Sequence, residues 1–130
     1  MAMVTPVALP DGDDGEAVAV ADTSPRNVFY DPSAGGVPGC VALEFMAQAM
    51  ATAVGAIRAA RGLPPKVVFV LGARRLVVGI DVFRPDAVYH AHASCAFSDE
   101  EFASFNCRIS DPGGNTVASA SLTAYQPPEN

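Results

Sequence analysis

The chain has 130 residues, which is the size of one domain with its own hydrophobic core. Half of the residues are hydrophobic and 17% are charged, so the composition excludes a disordered chain and indicates a folded protein. The net charge of −6 argues against general nucleic-acid binding.

The amino-terminal residues give no sign of a secretion signal. No positively charged segment followed by an apolar stretch opens the chain, so we expect a cytoplasmic protein. Residues 1–15 are rich in Pro, Gly and Asp, and we expect them to be a loose segment of a single domain spanning residues 1–130. Residues 16–22 alternate small and branched side chains and predict a strand.

A long helix is predicted over residues 39–61. A proline-rich loop precedes it, and a Gly-Leu-Pro-Pro sequence ends it. From residue 40 to residue 57 only Glu44, Gln48 and Thr52 are polar, and their spacing places them in one stripe of the helix. A helix that is apolar on its other sides belongs in a core, and this one is too short and too polar near its start to span a membrane.

The carboxyl group on this helix is the leading candidate for chemistry. A buried carboxyl group must be hydrogen-bonded or change its protonation state. Gly39 permits close backbone approach just before Glu44, and the free amides of the first turn are donors for a developing negative charge. We therefore interpret Glu44 as a functional acid, in preference to a structural hydrogen-bonding residue, beside an oxyanion site suited to elimination or acyl chemistry.

The second half of the chain is predicted to consist of strands and turns. The predicted strands cover residues 67–78, 87–97, 101–110 and 116–125. Consecutive strands joined by short turns favour an antiparallel sheet, and an apolar helix needs to be wrapped. An antiparallel sheet curved around one long central helix satisfies both demands. This α+β architecture is the hotdog fold.

Cysteine and histidine usage argues against a metal site, and no cofactor is expected. The three cysteines lack metal-type spacing, and His90 and His92 have no ligand-type residues close by in the sequence. Cys40, at the start of the helix, could be a nucleophilic thiol. No histidine is near it in the sequence, so a small buried residue is the favoured interpretation.

Basic residues are concentrated in one part of the chain. Six of the eight lie between residues 58 and 84 and allow two interpretations, a solvated face or a positive patch for an acidic partner or a phosphate. These residues are Arg58, Arg61, Lys66, Arg74, Arg75 and Arg84.

The start of the helix resembles a motif of the 3-hydroxyacyl-ACP dehydratases of fatty-acid synthesis. Pro38 and Gly39 are followed by four residues, then Glu44, then three residues, then Gln48, as in that family. The resemblance extends over residues 16–127. It implies a hotdog-fold dehydratase acting on substrates that are linked to the phosphopantetheine of an acyl carrier protein.

Other segments support the same resemblance. Residues 70–74 resemble the second strand of the family, and residues 82–86 resemble its proline turn. Residues 118–127 are most similar to dehydratase-like proteins of aryl polyene and reducing type II polyketide biosynthesis. The resemblance implies that Leu71 and Gly72 contribute to substrate binding.

The resemblance also implies roles for the residues at the helix start. Glu44 would be the acid that protonates the departing 3-hydroxyl group, and Gln48 would hold its carboxyl group in position. The amides of Gly39 and Cys40 would polarise the thioester carbonyl.

The chain departs from the family pattern at the catalytic base. The family carries a histidine on the loop before the helix, whereas residues 29–36 contain none. His90 and His92 share a strand face with Ser94, and we predict that this face points outward. In hotdog dimers the loop of one subunit meets the helix of the other. The chain is therefore expected to be half of an active site, completed by a histidine-bearing hotdog partner in a heterodimer.

Three alternatives remain open. A homodimeric dehydratase could use a substituted base such as Asp31. A hotdog thioesterase could use Glu44 to activate water. A non-catalytic acyl-binding or scaffolding subunit would keep Glu44 only as a structural acid.

Overall fold

The computed structural model describes residues 2–10, 15–99 and 101–127. These residues form one long α-helix, α1 (Ala42–Ala60), which directly follows a 3₁₀ turn (Gly39–Val41). They also form eight strands: β1 (Val4–Ala8), β2 (Glu16–Ala21), β3 (Val37–Pro38), β4 (Phe69–Val78), β5 (Val82–Phe83), β6 (His90–Ser98), β7 (Phe102–Ser110) and β8 (Thr116–Tyr125).

The strands form one large antiparallel sheet and one short ladder. The large sheet has the order β1-β2-β6-β7-β8-β4, so that β1 and β4 are its two edges. The short ladder pairs β3 with β5. In the chain β3 comes just before α1, and β5 comes just after β4. One long helix packed against a large antiparallel sheet confirms the predicted α+β hotdog fold.

The inner face of the sheet is built mainly from alanine. Small side chains alternate with outward-facing ones along β2, β6 and β8, as the period of a strand requires. The buried alanines of these strands are Ala17, Ala19, Ala21, Ala91, Ala93, Ala118, Ala120 and Ala124. Because they take little space, α1 lies close to the sheet, and Phe45, Met46 and Met50 fill the layer between them.

The helix is buried on one side only. Its buried residues face the sheet, whereas Glu44, Ala51, Gly55 and Ala59 are exposed. Their spacing places the exposed residues along one side of the helix, and we call this side the open stripe. The helix expected in the core is therefore buried on the side that packs against the sheet and exposed along the open stripe.

The helix is long and apolar enough to resemble a membrane span. Residues Gly39–Ala60 have a mean hydropathy of 1.6. The side facing the sheet contains Phe45, Ala49 and Ala53, which are at most 1% exposed. These residues form the core of the domain, which accounts for the hydropathy without a membrane.

The amino-terminal segment contains a strand that the sequence analysis missed. Residues 1–15 were expected to be loose, but β1 pairs antiparallel with β2, and Met3 just before it is 2% exposed. Pro6 argued against a strand in the sequence, because proline is excluded from central strands. At the edge of a sheet, where β1 lies, proline is tolerated. The ladder also shifts register between Pro6 and Ala8. Residues 11–14 lie outside the described part of the chain.

Two glycines allow the loop before α1 to lie against β5. The amide of Gly39 donates a hydrogen bond of 2.8 Å to the carbonyl oxygen of Asp81, which extends the β3–β5 ladder by one rung. A Cβ atom on Gly39 would overlap the carbonyl oxygen of Ile80, and one on Gly36 would overlap that of Phe83. Only glycine fits at these positions, which fixes where the helix begins.

We expect Gly39→Ala to destabilise the fold, because the added methyl group has no space beside the backbone at Ile80. Overpacking of this kind costs about 2 kcal/mol. Gly55→Ala is the matched control, because a Cβ there meets nothing within 4 Å and alanine favours a helix by up to about 1 kcal/mol. Urea unfolding of both variants measures the difference, and equal stabilities would contradict this role of Gly39.

Candidate functional site

Glu44 lies in the first turn of α1 and is held by a chain of hydrogen bonds. The side-chain amide nitrogen of Gln48 donates to Glu44 Oε1 at 3.1 Å. The backbone amide of Met3 donates to Gln48 Oε1 at 2.7 Å. Because the Met3 amide is only a donor, Gln48 must turn its oxygen to Met3 and its nitrogen to Glu44. The segment leading into β1 thus sets the orientation of the Gln48 amide.

The polar stripe of α1, formed by Glu44 and Gln48, continues one turn further to Thr52. The hydroxyl of Thr52 donates to the backbone carbonyl oxygen of Gln48 at 3.0 Å. The three polar residues that the sequence placed in one stripe are therefore connected in the structure. Glu44 itself is exposed in the single chain, whereas the sequence analysis expected it to be buried. The helix buries its other side against the sheet, so residues 2–10, 15–99 and 101–127 supply no cover for the carboxyl group.

The expected oxyanion donors lie at the start of the helix. The amide of Gly39 donates to the carbonyl oxygen of Asp81 at 2.8 Å, and its role in polarising a thioester carbonyl stays a prediction. Gly39 is also a point of close backbone approach. Cys40 is exposed, which corrects the interpretation of a small buried residue. The role of the Cys40 amide stays a prediction.

The remaining cysteines differ in their surroundings. Cys107 is buried on β7, and burial raises the pKa of its thiol to about 12. A thiol in this state stays protonated and is a poor nucleophile. Cys95 is partly exposed, and its thiol lies 3.5 Å from the carbonyl oxygen of Phe97.

Leu71 and Gly72 lie away from this cluster. Both belong to β4, at the opposite edge of the sheet from β1, whereas Met3 ties Gln48 to the β1 side. Every residue of β4 is exposed, and Leu71 is 58% exposed. The predicted substrate-binding residues are thus divided between the two edges of one sheet, and β4 lacks cover on both faces.

Asp31, the alternative base, is committed to a turn. Its Oδ1 accepts hydrogen bonds from the Ser33 amide at 2.9 Å and the Ser33 hydroxyl at 2.7 Å. The hydroxyl of Ser33 lowers the pKa of Asp31 below its usual value. A carboxylate held in this way is a weaker base, which disfavours the homodimeric enzyme with a substituted base.

His90 and His92 lie on the outer face of the sheet, as predicted. Their neighbours on β6, Ala91 and Ala93, are fully buried on the inner face. His92 has Nδ1 at 3.1 Å from Glu16 Oε1 and Nε2 at 2.9 Å from Ser110 Oγ. This cluster links β2, β6 and β7, and the sequence analysis missed it because its members are far apart in the chain.

The six basic residues do not form one patch. Arg84 pairs with Asp86 at 3.2 Å, and Arg74 and Arg75 lie on β4. The other three line a cavity of about 440 Å³ at the carboxyl-terminal end of α1. This cavity is lined by Arg58, Arg61 and Lys66, by the acids Asp99 and Glu101, and by apolar residues that include Val54, Ile57 and Phe105.

Comparison with known proteins gives a family match over the whole chain. The model of the ApeP-like family, described as ApeP dehydratase, matches residues 1–130. No curated protein sequence matches the chain significantly.

Several solved structures share the fold. The dehydratase heterocomplex ApeI:P from Xenorhabdus doucetiae superposes with a TM-score of 0.84 at 24% identity, covering 98% of this chain and 84% of that one. AziG from S. sahachiroi gives a TM-score of 0.70 at 13% identity, covering 95% and 90%. A hypothetical thioesterase with coenzyme A from Streptococcus pneumoniae TIGR4 gives 0.69 at 14% identity, covering 98% and 88%. At these identities the likeness establishes the fold.

We expect the stability of the protein to depend on pH through His92. Burial is the main reason that the pKa of His92 lies below its ordinary value of 6.5, although the contact with Glu16 acts in the opposite direction. The native state therefore binds this proton less readily than the unfolded chain, so stability is lost as the pH falls below that ordinary value. Between about pH 7.5 and pH 5, the free energy of unfolding should fall less in His92→Gln than in the wild type.

His90→Gln is the matched control, since it removes the neighbouring imidazole from the same strand face. The charge of His90 is the smallest of the contributions that lower the pKa of His92, so this variant should keep most of the wild-type dependence of the free energy of unfolding on pH. Identical pH profiles for His92→Gln and the wild type would contradict this assignment.

Proposed function

The chain belongs to the ApeP-like dehydratase family, and we propose that it is the acid-bearing half of a heterodimeric 3-hydroxyacyl-ACP dehydratase. The observation that carries this proposal is the placement of Glu44. The carboxyl group is oriented by Gln48 and exposed on the open stripe, while the loop before the helix contains no histidine. An acid without a base in the same chain fits a site that is completed by a second subunit. We place this activity in the cytoplasm.

Dehydration of a 3-hydroxyacyl thioester needs a base and an acid. The base takes the α-proton, and the electrons of the broken C–H bond form the new double bond. Glu44 gives its proton to the 3-hydroxyl group, the C–O bond breaks, and water leaves. The proton taken by the base later returns to Glu44, so the cycle consumes no cofactor.

Gln48 fixes the orientation of the Glu44 carboxyl group. Its N–H group donates to Oε1, so the proton to be transferred is expected on the other carboxyl oxygen. The Met3 amide holds the far end of the Gln48 side chain. Geometry fixed by neighbouring hydrogen bonds is what proton transfer within hydrogen-bond reach requires.

We propose that the histidine-bearing partner pairs with β4. This strand is an unpaired edge of the sheet, and it exposes Phe69, Leu71 and Val77 by 51%, 58% and 60%. A long apolar edge strand is a surface that proteins normally pair or protect. The structure from Xenorhabdus doucetiae is described as a heterocomplex, which supports an assembly of two different subunits. The partner's loop would then place the base on the substrate bound at Glu44.

Thioester hydrolysis is the second candidate activity, because one of the structures that share the fold is described as a hypothetical thioesterase. In that reaction Glu44 would activate water instead of protonating a hydroxyl group. Product mass separates the two activities, since dehydration removes water from the acyl chain and hydrolysis releases a free acid. A scaffolding subunit would give neither product.

We expect Glu44→Gln to abolish dehydration while it preserves the fold. The amide keeps the size and much of the hydrogen bonding of the side chain but has no acidic proton. The complex with a histidine-bearing hotdog partner should lose about two or more orders of magnitude in rate on a 3-hydroxyacyl carrier protein. Loss of water followed by mass spectrometry measures the effect.

Glu16→Gln is the matched control, because it makes the same chemical change on the outer face of the sheet beside His92. Its complex should dehydrate at the wild-type rate. Substitution of the partner's loop histidine should be as damaging as Glu44→Gln. Full activity of Glu44→Gln would refute the acid role, and dehydration by this chain alone would refute the two-subunit site.

We also propose that the cations at the carboxyl-terminal end of α1 help to seat the acidic carrier protein and its phosphopantetheine phosphate. Reversing Arg61 and Lys66 to Glu should weaken carrier binding about tenfold at low salt and less at high salt. Arg26→Glu with Arg84→Glu is the control with the same change in net charge. Equal carrier affinities for the two double variants, measured by fluorescence anisotropy, would leave Arg61 and Lys66 as part of a solvated face.

A further inference from the structure

The exposed edge of β4 is apolar at both ends and positively charged in the middle. Its ends expose Phe69, Val70, Val77 and Val78 by 40% to 60%, with Val70 at 43% and Val78 at 40%. Arg74 and Arg75 stand between these ends. Within the described part of the chain, neither guanidinium has a hydrogen bond or ion pair to another residue. Two uncompensated cations therefore occupy the centre of the strand that is proposed to meet the partner.

The position of Arg74 on the sheet follows from the ladder with β8. Ala73 is paired with Leu122, which is fully buried on the inner face. Cross-strand partners share a face and successive residues alternate, so Arg74, paired with Ser121, points to the outer face. Because of this orientation, two paired copies of β4 would carry both Arg74 side chains on the same outer face.

Two copies of this chain joined through β4 would place their arginines side by side. A two-fold axis pairs the two strands antiparallel, with the same faces of both sheets on the same side. In registers that overlap the strands almost completely, Arg74 comes opposite either Arg74 or Gly72 of the second copy. The two Arg74 side chains are then direct or diagonal neighbours, with Cβ atoms about 5 to 8 Å apart. Like charges at such positions destabilise the pair.

The backbone conformation at Arg75 fixes the register of β4 and with it the positions of Arg74 and Arg75. Arg75 has φ of 55°, and the ladder with β8 shifts register between Arg74 and Val77, which defines a β-bulge. A non-glycine residue with positive φ is costly and persists only where its surroundings fix it. Sliding the strand by one residue would exchange its inner and outer faces. The arginines are therefore held at the centre of the pairing edge.

We propose that Arg74 and Arg75 select the partner: they disfavour pairing of two copies of this chain and favour a hotdog subunit whose edge strand carries carboxylates near its middle. This inference rests on the proposed pairing through β4 and identifies the chemistry of the occupant. The apolar ends of β4 supply attraction that does not distinguish between partners. The charged centre supplies discrimination, through repulsion of the wrong partner and attraction of the right one.

The test uses only this chain and a charge-reversed copy. Wild-type protein is mixed with a differently tagged Arg74→Glu/Arg75→Glu variant, and the dimer populations are measured by native mass spectrometry. We expect mixed dimers to exceed the statistical proportion about tenfold at low salt, and the excess to shrink as salt rises. Arg74→Gln/Arg75→Gln, which removes the charge without reversing it, should associate with itself more tightly than the wild type does.

Two controls keep the outcome interpretable. A variant with Arg26→Glu and Arg84→Glu changes net charge equally but lies outside β4, and it should mix with the wild type only statistically. Circular dichroism verifies that each variant is folded. Statistical mixing with the β4 variant would overturn the selection by charge while leaving the pairing itself in place. Absence of association in every combination would overturn both the pairing through β4 and the inference that rests on it.

Discussion

The close contact between α1 and the sheet is the constraint on which the rest of the structure depends. The inner face of the central strands is mostly alanine, so the helix approaches the sheet and its own Phe45, Met46 and Met50 fill the layer between them. A larger residue on the inner face would push the helix away from the sheet. The position of every group on the opposite side of α1, including Glu44, is therefore set by small residues that take no part in the chemistry.

The start of the helix is fixed by a second close contact. Gly36 and Gly39 allow the incoming loop to lie against the backbone of β5. Phe83 of β5 packs edge-on against Phe45, with the two ring centroids 5.3 Å apart. The first turn of α1 is thereby tied to the core from two directions. A proton donor gains from this rigidity, because its distance to the substrate then varies little.

The sequence was sufficient for the fold because the relevant patterns are local. The apolar helix with its polar stripe, and the alternation in β2, β6 and β8, are each contained in one stretch of chain. The strand β1 was not predicted, because Pro6 interrupts its pattern. The register shift between Cys95 and Phe97 also has no local signal, and beyond it Phe97 is 59% exposed, whereas Ala91 and Ala93 earlier in the strand are fully buried.

The site was less predictable because its contacts join distant segments. Glu44 and Gln48 could be identified from their spacing, but the hydrogen bond from Met3 to Gln48 spans 45 residues. The hydrogen bond from Gly39, one of the expected oxyanion donors, to the carbonyl oxygen of Asp81 is also long-range. Nothing in the local sequence specifies either contact. The motif therefore singles out Glu44 as the proposed acid, whereas only the folded chain reveals what orients its carboxyl group.

The features that support the proposed two-subunit site also describe the surface that a partner would cover. A protein that works as a monomer rarely leaves a ten-residue apolar edge strand exposed along its whole length. The apolar exposure on β4 is costly by itself, and one protein surface laid against β4 and the open stripe would cover both the strand and Glu44. Covering Glu44 would also remove water from its surroundings and make proton transfer to a substrate more selective. The loop before the helix contains no histidine, so the proposed partner surface that would cover Glu44 is also the proposed source of the base.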